Sequence, residues 1–185
     1  MDTCSMIPRL SPDALRGDVA EMLRLRVERL GYLGEFFRCA AHQPSALISF
    51  MAFTDDLKHA LPDRITETVA LTVSSEVGNA YERHQHERLS IKLGFGEDWI
   101  RAIEALEPDH SAIGETERRV QTLTLAVIRR HGHGTSGELE LVVASIGHEQ
   151  AIAVLMLIGR YVTHALMVNA LELQPPVPSP LEATS

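Results

Sequence analysis

Apolar residues recur along the chain at the three- and four-residue spacing of amphipathic helices, separated by short polar or Pro- and Gly-containing segments. The first predicted helix starts at 11–13, which reads Ser-Pro-Asp, and runs towards Gly31. A second extends to about Cys39. Further helices are predicted over about 45–60, 63–77, 79–93, 97–106, 115–130, 137–146 and 149–172. No segment has the alternation of a strand, so the predicted fold class is all-α.

The segment 63–77 predicts a helix that is buried on most of its surface. Apolar or small side chains cover more than half of its circumference, as in a helix packed within a bundle. They are Ile65, Val69, Ala70, Leu71, Val73, Ser74 and Val77. Glu67 shares the face of Ala70, Leu71 and Ser74, and a carboxylate placed there must be paired or have a raised pKa.

The segment EVGNAYERHQHERL, which begins at Glu76, is the part of the chain richest in candidate catalytic and metal-binding side chains. Asn79 can cap a new helix with Glu82 three residues later, as in a capping box. Glu82 and His86 are at i and i+4 on that helix and share a face. His84 points elsewhere, which makes the two histidines a poor zinc pair. Nothing identifies a third ligand, and no metal is predicted.

Two interpretations of Glu82 and His86 follow from the residues alone. In the first, Glu82 caps the helix and His86 is its partly exposed i, i+4 partner, a pair worth roughly 0.2–0.5 kcal/mol. In the second, a bend at Gly78 lets Glu67 face both residues across a small cavity. Two carboxylates and an imidazole in an apolar pocket have the divergent pKa values that proton transfer needs. Spacing alone favours the first interpretation, and Glu67 shifts the balance towards the second.

Composition and charge exclude several classes of protein. The 185 residues are 45% hydrophobic and 23% charged, as in ordinary soluble globular proteins. The net charge of -8 and the lack of Lys and Arg runs argue against a nucleic-acid partner. The longest apolar run, 151–158, is shorter than the ~20 residues of a membrane span, so no membrane partner is expected.

Cysteines and termini complete the predicted organisation. Cys4 and Cys39 form no CxxC, so neither a disulfide framework nor a thiolate metal site is predicted. The N-terminus lacks the apolar core of a signal peptide, and we expect a reduced, cytoplasmic protein. Residues 1–173 are predicted to form a single domain. The Pro-rich tail, 174–185, is predicted to be disordered or draped over it.

The spacing of Glu67, Asn79, Glu82 and His86 resembles that of the carboxymuconolactone decarboxylase-like or alkylhydroperoxidase D-like superfamily. The last three of these residues follow Glu67 by 12, 15 and 19 positions. Redox members of the superfamily carry Glu, then CxxC, then His at these spacings, whereas decarboxylase-like members read YEWxxH at the same place. Here 81–86 reads YERHQH, with Arg83 in place of the tryptophan.

The resemblance extends over about 35–173. It includes AHQP at 41–44, LPDRITE at 61–67 and LIGRYVTHALMVNALEL at 157–173. It implies an alkylhydroperoxidase D-like helical bundle of about six to eight helices. Members of the superfamily form trimers, or hexamers built from trimers, so a homo-oligomer is expected.

The resemblance also implies an activity. Asn79 and Glu82 occupy the positions of the redox cysteines, which nearly excludes thiol chemistry at this site. The decarboxylase branch instead implies cofactor-independent acid–base chemistry on a small carboxylic (lactone) acid, by decarboxylation or another proton transfer. The predicted catalytic residues are His86, as the principal acid–base group, Glu82 and Glu67. The predicted substrate-binding residues are Tyr81, Asn79 and Arg83.

Two other functions stay open at this point. The first is a non-catalytic helical oligomer that binds a small ligand or a partner, because both redox cysteines and the tryptophan are missing. The second is a peroxide-reducing thiol enzyme that uses Cys4 or Cys39, although neither lies in the motif.

Overall fold

The computed structural model describes residues 6–182, apart from the side chain of Arg29. This part of the chain contains eight α-helices and one 3-10 turn, and it has no strand, which confirms the all-α prediction. After the 3-10 turn Pro12–Ala14, the helices are α1 Gly17–Leu30, α2 Glu35–Ala40, α3 Pro44–Ala60, α4 Asp63–Glu76, α5 Ala80–Lys92, α6 Glu97–Glu104, α7 Glu115–Arg129 and α8 Ser136–Ala170.

Helix α8 is divided at Gly147. This residue has φ 79° and ψ 171°, a backbone conformation that is not helical and that favours glycine. The break separates a short first segment from a long second one, so the structure agrees with the two helices predicted over 137–146 and 149–172.

Helix α4 lies at the centre of the fold. Every residue from Ile65 to Ser74 is buried, as the nearly all-round apolar pattern predicts. The helix packs against α5, α6, α7 and α8. The core that it shares with α7 and α8 includes Val69, Leu123 and Leu157. Whatever α4 carries on its α5 side is therefore enclosed by packed helices.

A second core cluster joins α1, α2 and α3 to the end of α8. Val19, Leu23, Phe36 and Met51 are buried there. Cys39 lies in the same cluster as a free, buried thiol whose pKa is raised by burial. Cys39 thus serves as a small residue of the core, whereas Cys4 lies outside the described residues.

The described part of the C-terminal tail, 174–182, lies against the outer face of α5. Of the two predicted alternatives, disordered or draped, this part of the tail is draped. Residues of α5 and α6 hold it through the pairs His84 with the Val177 carbonyl, Arg88 with the Pro178 carbonyl, Glu87 with the Ser179 hydroxyl and Arg101 with the Leu181 carbonyl.

By length and composition alone, α8 could cross a membrane. A core helix of a soluble protein passes the same test. The second segment of α8 buries Val154, Leu157 and Tyr161 against the main core, which accounts for part of its apolar character. The predicted cytoplasmic location stays a prediction.

We expect Leu157→Ala to lower the free energy of unfolding by about 2–5 kcal/mol, because it leaves a cavity at a fully buried position between helices. The matched control is Leu25→Ala, since Leu25 is 66% exposed on α1 and its truncation should change stability by less than about 0.5 kcal/mol. Urea denaturation of both variants measures the difference. Equal losses would contradict the core described above.

Candidate active site

A tight turn between α4 and α5 sets the geometry of the candidate site. Gly78 has φ +67°, a left-handed conformation that glycine adopts without strain. Asn79 follows as the N-cap of α5, and its Oδ1 accepts a hydrogen bond from the Glu82 amide at 3.2 Å. The turn lays α5 alongside α4, so that side chains of the two helices meet in the interior.

His86 of α5 lies between two carboxylates, one from each helix. Its Nδ1 is 2.7 Å from Oε2 of Glu67, and its Nε2 is 3.5 Å from Oε2 of Glu82. Ser90, one turn further along α5, donates a hydrogen bond to the same Glu67 oxygen at 3.4 Å. All four side chains are buried. The structure thus brings together the three predicted catalytic residues, His86, Glu82 and Glu67.

The two carboxylates control the charge of His86. Burial alone would lower the pKa of His86, but the negative charge and hydrogen bond of Glu67, with those of Glu82, outweigh burial and raise the pKa to about 9. His86 is therefore an imidazolium at neutral pH. Glu67 holds its Nδ1–H at 2.7 Å, whereas the 3.5 Å contact of Nε2 with Glu82 is long enough for a ligand to replace it.

The Glu82 carboxylate is the most heavily contacted anion of the site. Arg160 donates a hydrogen bond to its Oε2 at 3.2 Å, and Nε2 of His164 lies 3.3 Å from its Oε1. Burial would raise the pKa of Glu82, but His164, Arg160 and His86 hold it well below its usual range. Only the backbone amide of Glu82 takes part in capping, so the capping-box interpretation of its side chain is wrong.

His164 has the opposite protonation state from His86. Burial lowers the pKa of His164 to about 4, although the Glu82 carboxylate acts against this shift. Its ring lies against Phe36, with 4.0 Å between ring centroids, and its Nδ1 has no hydrogen-bond partner among the described residues. Because His164 is neutral above about pH 4, Arg160 and His86 compensate Glu82 at neutral pH.

These groups border a pocket of about 340 Å³. Phe36, Phe37, Met51 and Leu89 form its apolar wall. Glu82 is the one acidic residue among the described residues that line it, against five basic ones: Arg26, Lys58, Arg88, Lys92 and Arg160. A chain with a net charge of -8 thus presents a cationic pocket, which favours an anionic ligand.

The three predicted substrate-binding residues have different positions. Tyr81 lines the pocket, its hydroxyl accepts a hydrogen bond from the Phe36 amide at 3.4 Å, and burial raises its pKa, so it is a neutral phenol. Asn79 is buried behind the pocket wall, where it caps α5.

Arg83 is the residue that the structure does not bring to the pocket. As the residue in place of a tryptophan, Arg83 was predicted to bind substrate at the pocket, and this prediction is wrong. Its guanidinium turns towards Glu87, 3.8 Å away, and towards Glu182 of the tail, at 4.0 Å. It lines a separate cavity of about 250 Å³ together with Glu104. The acidic groups on that side of α5 attract its charge away from the pocket.

His84 also faces away, as its position on the helix predicts. Its Nδ1 donates to the Val177 carbonyl at 3.1 Å, which makes it a contact for the tail. Within 6–182, no group of three or more His, Cys, Asp or Glu side chains has an arrangement that could hold a metal ion.

Three residues that line the pocket were not predicted as site residues from the sequence: Arg160, Thr54 and Lys58. Arg160 of α8 donates to Oγ1 of Thr54 at 3.0 Å as well as to Glu82. A signal for Arg160 was available, because a charge within the most apolar helix of a protein is buried only when it is paired. Lys58 and Thr54, in α3, carry no comparable signal.

We expect the two histidines to give the free energy of unfolding opposite pH dependences. The raised pKa of His86 stabilises the fold below its unfolded value of 6.5, and this contribution is lost as pH rises to about 9. The lowered pKa of His164 makes its contribution fall as pH drops from 6.5 to about 4. Glu67→Gln should flatten the alkaline limb, whose slope from the single histidine His86 is at most about 1.4 kcal/mol per pH unit.

Urea denaturation across this pH range, with wild type and Glu67→Gln, measures both limbs. Glu138→Gln is the matched control, because it removes an ion pair with Arg130 far from His86 and should leave the alkaline limb unchanged. An alkaline limb that survives in Glu67→Gln would contradict the pairing of His86 with Glu67.

Comparisons with known proteins address the fold. Neither a protein-family model nor a curated protein matches the sequence. Among solved structures, a peroxidase-related protein of Ralstonia eutropha JMP134, an alkylhydroperoxidase AhpD core, matches with a TM-score of 0.81 at 17% identity, over 95% of this chain and 94% of that one.

Two further structures agree. The debrominase Bmp8 has a TM-score of 0.79 at 16% identity, with 92% of each chain covered. An AhpD-type protein of unknown function from Agrobacterium tumefaciens has a TM-score of 0.69 at 23% identity, over 75% of this chain and 96% of that one. At such identities the likeness establishes the fold, and the chain has the alkylhydroperoxidase D-like helical fold that the resemblance predicted.

Proposed function

We propose that this protein is a cofactor-independent acid–base enzyme that acts on a small carboxylic acid, by decarboxylation or by another proton transfer. One observation carries the proposal: His86 is held between Glu67 and Glu82 at the edge of a cationic pocket. A buried imidazolium with one N–H firmly held and the other weakly engaged is equipped to donate a proton.

The protonation states support this assignment. An acid–base site needs groups whose environments separate their pKa values. Here the pKa of His86 is raised to about 9, and that of Glu82 is held well below its usual range. The site thus contains a proton donor and a permanently ionised carboxylate that keeps the donor charged and oriented.

In the decarboxylation, the bond between the carboxylate carbon and the α-carbon breaks and CO2 leaves. The electron pair stays on the substrate as an enolate-like carbanion, and His86 donates its Nε2 proton to the carbon. Arg160, at the pocket wall, offsets the charge that develops on the enolate oxygen. Water then returns a proton to His86. In an isomerisation, His86 donates its proton to one carbon of the substrate and then, as a neutral imidazole, takes a proton from another carbon, without loss of CO2.

The pocket supports a small anionic substrate. Its volume of about 340 Å³ is at the lower end of the range for small-molecule sites. Bmp8, which has the same fold, has also been solved, as a variant, in complex with 2,3,4-tribromopyrrole, and a small ring compound is compatible with this fold. A lactone acid or a related ring acid fits these requirements.

A thiol mechanism has little support. Asn79 and Glu82 stand where the redox cysteines are expected, and neither can form a disulfide. Cys39 lies in the second core cluster and does not line the pocket, and burial raises its pKa. Neither a peroxidase nor a debrominase activity is therefore proposed for this chain.

A second candidate is a non-catalytic oligomer that binds a small ligand. It is favoured by an exposed apolar stripe on α8, where Ile152, Met156 and Leu166 are 52%, 50% and 62% exposed. Their spacing places them on one face of the helix. Such a stripe is typical of an interface, and we propose that it joins copies of this chain into a trimer or a hexamer.

We expect His86→Asn and Glu82→Gln each to lower the turnover rate about 10²- to 10⁴-fold while the fold survives, because each removes a component of the proton donor. Proton NMR in D2O detects deuterium at the carbon that loses CO2 or at a carbon that exchanges its proton, and therefore reports both decarboxylation and isomerisation. A panel of lactone acids and small oxo acids supplies the substrates.

His84→Asn is the matched control, because His84 is on the same helix, faces the tail and should leave turnover unchanged. Wild-type turnover should also fall as pH rises through about 9, where His86 loses its proton. Full turnover in His86→Asn would contradict its role. No deuterium incorporation by wild type with any acid of the panel would favour the non-catalytic candidate.

We expect the wild-type protein to be a trimer or a hexamer by light scattering, and the Met156→Glu, Leu166→Glu double variant to be smaller. A buried glutamate in an apolar interface is unpaired and costs several kcal/mol. Leu25→Glu, on the exposed face of α1, is the control and should keep the wild-type mass. A wild-type monomer would contradict the proposed interface.

A further inference from the structure

Both lysines of this chain line the candidate pocket. The 17 basic residues comprise 15 arginines, distributed over the chain, and two lysines, Lys58 and Lys92. Lys92 is exposed at the rim, near the end of α5, whereas Lys58 is partly buried in α3. Lysine carries a compact charge on a flexible side chain, which suits reversible contact with a ligand.

Of the two lysines of the pocket, Lys58 is the one that is partly buried without a protein partner within 6–182. Within the described residues its ammonium makes neither a hydrogen bond nor an ion pair. By contrast, Arg160 is bound to Glu82 and Thr54, and Arg26 lies 3.4 Å from Asp55. A partly buried ammonium that lacks a counter-ion forfeits hydrogen bonds that it makes in water.

The carboxylates near Lys58 are already compensated. Glu67 is bound to His86, and Glu82 is bound to Arg160 and lies beside His86. Burial lowers the pKa of Lys58. The nearby charges of Glu67 and Glu82 raise this pKa, and those of Arg160 and Arg26 lower it further. We call Lys58, His86, Arg160, Glu67 and Glu82 the inner pocket. Its three cations face two carboxylates, which leaves one positive charge in excess.

Lys58 also has a defined position relative to the proton donor. It lies one turn from Thr54 on α3, and Thr54 accepts the hydrogen bond of Arg160. Arg160 in turn contacts the Glu82 oxygen that faces His86. Lys58 of α3 and His86 of α5 thus line the same pocket from different helices.

We propose that Lys58 is the carboxylate-binding residue of the pocket and holds the substrate with its reacting carbon towards His86. This inference rests on the proposed function and adds its specificity determinant. A bound carboxylate supplies the missing counter-ion and neutralises the excess charge of the inner pocket. The charge-assisted hydrogen bond that it forms is stronger than one to a neutral group.

The role of Lys58 restricts the substrate further. A cation that binds a carboxylate stabilises the ground state of that group and opposes its loss as CO2. The carboxylate on Lys58 is therefore one that survives the reaction. In a decarboxylation the substrate then carries a second carboxylate, which is lost, whereas an acid with one carboxylate undergoes proton transfer alone.

Reductive methylation with 13C-formaldehyde tests the binding site directly. It labels the two lysines and the N-terminal amine, keeps their positive charge and gives separate NMR signals, which Lys58→Arg and Lys92→Arg assign. Titration with levulinate, succinate or benzoate should shift the Lys58 signal and raise its pH midpoint, because the anion stabilises the ammonium. Methyl levulinate has the same skeleton without the charge and should do neither.

Calorimetry on unmodified protein gives the magnitude. Lys58→Met should weaken binding of the carboxylates about tenfold or more, and Lys58→Arg should restore most of it. Lys92→Met is the matched control within the same pocket and should change affinity by less than about threefold, because its charge is exposed. In turnover assays, Lys58→Met should raise KM and change kcat little.

The binding assays are repeated in His86→Asn, which separates this inference from the proposed function. Carboxylate binding that needs Lys58 but not His86 supports the inference, even where wild type lacks turnover. Lys58 signals that respond to none of the three carboxylates, or affinity that survives Lys58→Met, would overturn it. An adduct at Lys58 trapped from an oxo acid by cyanoborohydride would also overturn it, since the amine would then be a nucleophile.

Discussion

The candidate site depends on the 2.7 Å contact between His86 and Glu67. It joins the central helix α4 to α5 inside the protein, and it places a carboxylate and an imidazole where neither is tolerated alone. A buried glutamate without a partner costs several kcal/mol, and a buried imidazole tends to lose its proton. Together they form a charged pair, and the protonated state of His86 follows from the packing of these two helices.

Glu82 extends this pair into a network that crosses the fold. Arg160 and His164 bring α8 to it, and Thr54 brings α3 to Arg160. Charges alternate along these contacts, so that each carboxylate faces a cation. The surplus cations remain at the pocket, where a ligand can reach them. The cluster therefore accounts both for the protonated donor and for the preference of the pocket for anions.

The sequence predicted the parts of this arrangement that depend on local patterns. The helical spacing, the glycine at 78 and the cap at Asn79 set α4 and α5, and a glutamate on a buried face required a partner. Contributions from distant helices carry no pattern that identifies their partners. Arg160 had a signal, as a charge within an apolar helix, but only the packed structure shows that it pairs with Glu82, and Lys58 had no signal. Arg83 was misplaced although its i, i+4 spacing from Glu87 is a local signal, because the resemblance placed it at the pocket. Its other acidic neighbour, Glu182, lies in the tail and has no local signal.

The pH midpoint of the His86 imidazole tests the central claim most directly. Long-range 1H–15N NMR follows the two ring nitrogens through a titration, and His86→Asn assigns the signal. We predict that both ring nitrogens of His86 are protonated at neutral pH and that the midpoint is near 9, because Glu67 and Glu82 stabilise the imidazolium. A midpoint at or below the ordinary value of 6.5 would mean that His86 is neutral, and the assignment of the proton donor would then be wrong.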